Sequence, residues 1–139
     1  LTHDQVHIVI GESMIGKRIT YSHERVHIIR DYPNSMYFQA FDATVLAGGY
    51  NSFHEVRNSG LPALFYPNME TGMDDQLARC NAAESEGWGI VLKKRDAKSI
   101  QDSISELLQH KVKTTATVTN GAKDLASTLL ARFSKGESK

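Results

Sequence analysis

Short apolar runs alternate with amphipathic stretches along the chain, and that alternation predicts its elements. Residues 6–10 (VHIVI) are β-branched and apolar, and Gly11 ends them as a strand. Residues 26–29 (VHII) read the same way, closed by Arg-Asp-Tyr-Pro. Residues 34–41 read as a short helix, with Asn34 as its cap after Pro33. A third strand over 43–47 (ATVLA) stops at Gly48-Gly49. Residues 50–59 read as a helix with Phe53 and Val56 on one face, Gly60 as a left-handed C-cap and Pro62 blocking continuation. A fourth strand, 63–66 (ALFY), ends at Pro67 and leads into a loop of turn formers, PNMETGMDD. Residues 75–87 read as a helix stopped by Gly87, and 89–92 as a short last strand. Residues 97–109 carry Ile100, Ile104, Leu107 and Leu108 at helical spacing. The Thr-rich stretch 110–118 reads as a loop. Asn120 then caps a final helix with Ala122, Leu125, Ala126, Leu129, Leu130 and Phe133 on one stripe.

Strands that are apolar on both faces and alternate with helices imply a parallel sheet covered on both sides. With right-handed crossovers the expected fold class is a doubly wound, Rossmann-like three-layer α/β sandwich with a mainly parallel sheet of about five strands. The expected domain spans residues 1–133, with 134–139 as a flexible tail. Ligands in such folds bind at the carboxyl ends of the strands. Three loops fall there: 30–33, 48–51 and 67–75.

Composition removes several alternatives. With 139 residues the chain suits one domain, large enough to need no staples. Sixteen Lys and Arg balance sixteen Asp and Glu, which argues against nucleic acid or an anionic membrane as the main partner. Lys93-Lys94-Arg95, the densest basic run, reads as a solvated turn. Cys80 is the sole cysteine, so no intrachain disulfide is expected, and a reducing compartment fits. No apolar run approaches the length of a membrane span, and no signal peptide is visible. Leu1 in place of Met suggests a fragment of something longer.

The richest chemistry lies in LAGGYNSFHEV, residues 46–56. Glycines between a strand and a helix allow close approach of a ligand to the backbone. The helix that follows offers free N–H groups and the positive end of its dipole. Tyr50, Asn51 and Ser52 fall in its first turn, and Glu55 shares a face with Ser52. A carboxylate there can accept from two ribose hydroxyls while phosphates sit at the helix tip. Ser52-x-x-Glu55 also fits a capping box, which needs no ligand, and spacing alone favours that simpler use. Neither a full dinucleotide fingerprint nor a Walker motif is present.

AGGYNSFHE resembles the donor-binding signature of GT-B glycosyltransferases that use UDP-sugars. Plant-type members read His-Cys-Gly-Trp-Asn-Ser-x-x-Glu, and Gly49, Tyr50, Asn51, Ser52 and Glu55 match in register, with Tyr for Trp. GLPALFYPN (60–68) and DDQLARCNAAESEGWGIVL (74–92) are similar to the segments that follow in MurG-type bacterial GlcNAc transferases. The resemblance covers residues 26–92. It implies a diphosphate site at Gly48, Gly49, Tyr50, Asn51 and Ser52, and a ribose contact at Glu55. It further implies that Ile29 and Arg30 face the uracil, largely through backbone groups, and that Asp75 and Gln76 hold hydroxyls of the donor hexose. Ala47 stands where the plant-type pattern has His, which removes one diphosphate contact; the MurG-type pattern does not need it.

The implied activity is metal-independent, inverting transfer from a UDP-sugar, with no cofactor. The resemblance also implies that the chain is the C-terminal half of the enzyme. The usual first strand, glycine loop and helix of that half are absent or shortened here. The catalytic base belongs to an absent N-terminal domain or a partner chain, so the fragment alone would be inactive. A cytoplasmic location is implied, with peripheral association at the inner membrane face allowed through the absent half. Two alternatives share the site: a UDP-sugar hydrolase or epimerase, and a non-catalytic nucleotide-sugar-binding subunit of a two-chain transferase.

Other residues carry plainer readings. His3 with His7, and His23 with His27, lie four apart, too far along a strand to share one ion. His54 points elsewhere than Glu55 on a helix. Asp74 or Asp75 can cap the helix at Gln76. Arg79 reads as a surface partner of Glu84 or Asp75 more readily than as a phosphate contact. Trp88 and Cys80 read as packing residues.

Overall fold

Among the described residues every ladder between strands is parallel. The computed structural model describes residues 6–12, 14–15, 17–70, 72–109 and 121–134. In it β1 (Ile8–Gly11) pairs with β2 (Val26–Ile29) in the register Ile8↔Val26. β4 (Ala63–Phe65) lies between β3 (Thr44–Leu46) and β5 (Gly89–Val91), with Ala63 opposite both Thr44 and Gly89. The helices are α1 (Tyr50–Ser59), α2 (Gln76–Ser85), α3 (Ala97–Gln109) and α4 (Gly121–Ser134), with a 3₁₀ helix over Asn34–Ala40.

Five strands in one sheet were expected; among the described residues they form two sheets, of two and three strands. Apolar periodicity reports how deeply a strand is buried, not which strands join. Here Ile8 is 54% exposed and Val45 58% exposed, so faces that a continuous covered sheet would bury lie open. β1 also starts two residues later than its apolar run, at Ile8.

The core explains why β4 is central. Ala63, Leu64 and Phe65 are all fully buried. Ala63 and Phe65 join Phe53 and Val56 of α1, Cys80 and Ala83 of α2, and Trp88 and Val91. The rings of Phe53, Phe65 and Trp88 meet with centroids 5.0–5.5 Å apart, inside the range of favourable aromatic pairing. Trp88 donates its indole N–H to Glu86 at 2.9 Å, so its burial leaves no polar atom unpaired. Leu107 of α3, which contacts β4 and β5, is also fully buried.

Local chemistry sets the helix ends. Asp75 caps α2, its carboxylate accepting from the N–H of Ala78 at 2.9 Å. At the other end Gly87 (φ +80°) and Trp88 donate back to the carbonyls of Glu84 and Ala83, a Schellman closure. Asn34 does not cap a helix as expected. It lies inside the 3₁₀ segment, behind Pro33, with no side-chain cap bond, and that segment buries no residue. Its side chain is packed against Gly11 instead, 2.7 Å from where a Cβ would stand. Phe38 packs against the core, but a segment without a fully buried side chain gains too little from packing to extend into an α-helix.

The final helix forms as its periodicity predicts, yet Leu125, Leu129, Leu130 and Phe133 are exposed. The stripe specifies a helix but not what covers it. The expected loop at 110–118, the Asn120 cap, and most of the expected tail lie outside the described residues.

Candidate functional site

The backbone turns sharply at the carboxyl end of β3. Gly48 is buried with φ +82°, a conformation that favours glycine. A Cβ on it would overlap the sulfur of Cys80, which is itself fully buried in α2. Gly49 follows in open space and is the N-cap residue of α1. No side chain caps this helix. Ser52 therefore lies inside the first turn rather than before it, and the capping-box use of Ser52 and Glu55 does not occur. The first internal bond runs from the N–H of Phe53 to the carbonyl of Gly49 at 2.9 Å. The N–H groups of Gly49, Tyr50, Asn51 and Ser52 make no hydrogen bond to any described residue. Glu55, exposed on the same helix, makes none either, and enters no ion pair among the described residues.

The loop after β4 closes onto this turn. Arg79 of α2 donates from Nη1 to the carbonyl of Gly48 at 2.6 Å and from Nη2 to Asp74. Its guanidinium also lies over the Tyr50 ring, 5.5 Å from the centroid, and 5.9 Å from that of Phe53. The Asp74 carboxylate beside it raises the Arg79 pKa, and Arg79 in turn lowers that of Asp74. The ion pairs read for Arg79 with Glu84 or Asp75 are replaced: Glu84 accepts from the backbone N–H of Val91 at 2.9 Å, and Asp75 caps α2. Gln76 is 8% exposed; its Oε1 accepts from the N–H of Asn68 at 3.0 Å, and its Nε2 donates to Asp74 at 3.2 Å. An open depression of about 280 Å³ lies against Asn68, Met73 and residues 74–77. A larger one, about 550 Å³, runs along β5 and α3 and includes none of the expected site residues.

The third loop takes a different course. Arg30, after β2, donates from Nε to Glu12 at 2.9 Å and from Nη2 to the carbonyl of Ile19 at 3.2 Å. Glu12 also accepts from Arg18 at 2.5 Å and from the N–H of Ile19 at 2.6 Å, while the Tyr32 hydroxyl donates to its carbonyl. The glycine turn and Asp74 are thus joined through Arg79, and the Arg30 side chain is turned to Glu12. Sequence reading missed Glu12. The signal was a carboxylate directly after an apolar strand and its glycine, with Arg18 and Arg30 to neutralise it.

Glu12 has a testable consequence. The Arg18 hydrogen bond, then that of Ile19 N–H, then Arg30, hold its carboxyl down to about 2 against burial. A carboxylate with a depressed folded-state pKa stabilises the fold above its unfolded value, and that contribution disappears as pH falls from about 4.5 toward 2. Glu12→Gln should flatten the fall in stability across that window, as followed by urea unfolding at several pH values. An unchanged slope would show that Glu12 is not the group being titrated.

Among the described residues no cluster of three or more His, Cys, Asp or Glu could hold a metal. His7, just before β1, and His27 of β2 meet, Nδ1 to Nε2 at 3.0 Å, a pairing that the sequence spacing of four did not suggest. No helix among the described residues is long and apolar enough to cross a membrane.

No protein-family model matches the sequence, and neither does any curated protein sequence. Solved structures do match. The glycotransferase of kitacinnamycin aligns with 75% of this chain at 19% identity and a TM-score of 0.60. The spinosyn forosaminyltransferase SpnP aligns with 78% at 14% identity and a TM-score of 0.65. The glycosyltransferase SnogD from Streptomyces nogalater aligns with 78% at 13% identity and a TM-score of 0.55. The aligned part is only 27–28% of each of those chains. With its parallel α/β core, this chain shares the fold of about a quarter of each of these three transferases.

Proposed function

We propose that the chain is the donor-binding, C-terminal domain of a GT-B glycosyltransferase that takes a UDP-sugar. One observation carries the reading: four N–H groups with no partner among the described residues open α1 at the carboxyl end of β3, on a glycine turn, in a fold shared with glycosyltransferases. The diphosphate lies on the backbone of Gly48 and Gly49 and the first turn at Tyr50, Asn51 and Ser52. Glu55, whose side chain has no partner among the described residues, accepts from the ribose hydroxyls. Ile29 and Arg30 meet the uracil through backbone groups, which suits an Arg30 side chain already spent on Glu12. Asp75, which uses one oxygen as a cap, and the remaining N–H of Gln76 take hydroxyls of the hexose. The likeness of 60–68 and 74–92 to MurG-type transferases supports a MurG-like member.

Charge develops on the departing diphosphate during inverting transfer. The N–H groups and dipole of α1 stabilise that charge without a metal ion. The acceptor and the catalytic base are supplied from outside this chain, which corresponds to about a quarter of the aligned enzymes.

A UDP titration followed by thermal unfolding tests the reading. At about 100 times its dissociation constant, UDP should raise stability by roughly 2.7 kcal/mol. No shift at millimolar UDP would overturn it.

A further inference from the structure

Arg79 stands where charge and dipole disfavour it. It lies in the first turn of α2 and packs against the start of α1, so two helix N-termini oppose a cation there. Asp74 offsets part of that cost. The guanidinium nevertheless joins three parts of the fold: the carbonyl of Gly48, the Asp74 corner and the face of Tyr50.

We propose that Arg79 is the positioning residue of the diphosphate site, fixing the Gly48–Gly49 peptide so that its N–H faces the ligand. The inference rests on the donor-binding reading and says which side chain sets that site's affinity. The peptide is planar and trans, so its carbonyl and its N–H point in opposite directions. With the carbonyl of Gly48 held on α2 at 2.6 Å, the N–H of Gly49 is turned away from α2. That N–H makes no hydrogen bond to a described residue, as is true of those in the first turn of α1, and no described atom lies near a Cβ built on Gly49. Glycines leave this peptide free to rotate, so something outside the turn must hold it. Cys80 blocks the turn from below and Arg79 fixes its orientation. Lysine cannot replace it, because a point charge lacks the planar fork that reaches carbonyl and carboxylate together while lying over a ring.

The test compares the parent chain with Arg79→Lys and Arg79→Gln, with Asp74→Asn as a second route should either fold poorly. Three quantities are read: the Gly49 amide resonance without ligand, affinity for pyrophosphate and UDP, and thermal stability. The expected result is a displaced Gly49 resonance and at least tenfold weaker binding of both ligands, by the same factor. Variants that bind both as the parent does, even with a lower Tm, overturn the positioning role and leave the donor-binding reading standing. A parent chain that binds neither UDP nor pyrophosphate overturns both.

Discussion

Gly48→Ala is expected to cost about 2–4 kcal/mol, and Gly49→Ala next to it almost nothing. The first cost has two sources. An L side chain at φ +82° is strained by about 1 kcal/mol or more. Its methyl group must also displace the sulfur of the fully buried Cys80, and overpacking a core costs about 1–3 kcal/mol. Gly49 has φ −57° and open space around it, so alanine fits there without strain. Thermal unfolding should show a Tm lower by roughly 10 °C for Gly48→Ala and an unmoved Tm for Gly49→Ala. Equal Tm values would mean that the turn relaxes around a methyl and that its glycine is not required by packing. The pair also separates stability from function. A methyl on Gly49 stands where the diphosphate should approach, so this well-folded variant should still lose UDP affinity.

The second large effect concerns Glu55→Ala. The side chain is exposed and makes no hydrogen bond to a described residue, so its removal should leave the unfolding free energy within about 0.5 kcal/mol of the parent. Against UDP the loss should be large. A carboxylate that accepts from two ribose hydroxyls contributes about 2–4 kcal/mol, a fall of ~30- to 1,000-fold in affinity. Pyrophosphate, which has no ribose, should bind the variant as it binds the parent. Calorimetry with both ligands gives the answer. Equal weakening of the two would assign Glu55 a general role at the helix start, and equal binding of both would remove it from the site.

Local elements were legible because each has a local cause. The bounds of β2, α1 and α3 follow from apolar spacing with Gly60, Pro62 and the flanking polar residues. Asp75 reads as a cap, and Trp88 and Cys80 read as core, because type and neighbourhood suffice. The partition into two sheets was not legible, since β1 and β3 carry the same apolar signal whether or not they pair. The glycine turn was legible as a turn. That it is clamped from α2 was not, because Arg79 reaches Gly48 across 31 positions. Glu12 was missed for a similar reason: Arg30, 18 positions away, and Arg18 converge on it only once β1 and β2 lie side by side. Ser52 and Glu55 fit a capping box on paper, and the helix begins three residues too early for it.

Cys80 gives the site a clock. Burial pushes its thiol up to about 11, and the sulfur lies directly beneath Gly48. A thiolate at neutral pH is therefore scarce, and a reagent reaches it only when α2 parts from the glycine turn. The rate at which the sole cysteine is alkylated measures how often the proposed cradle opens, with no added label. Any ligand that bridges the turn and α2 must slow that rate in proportion to the time it spends bound.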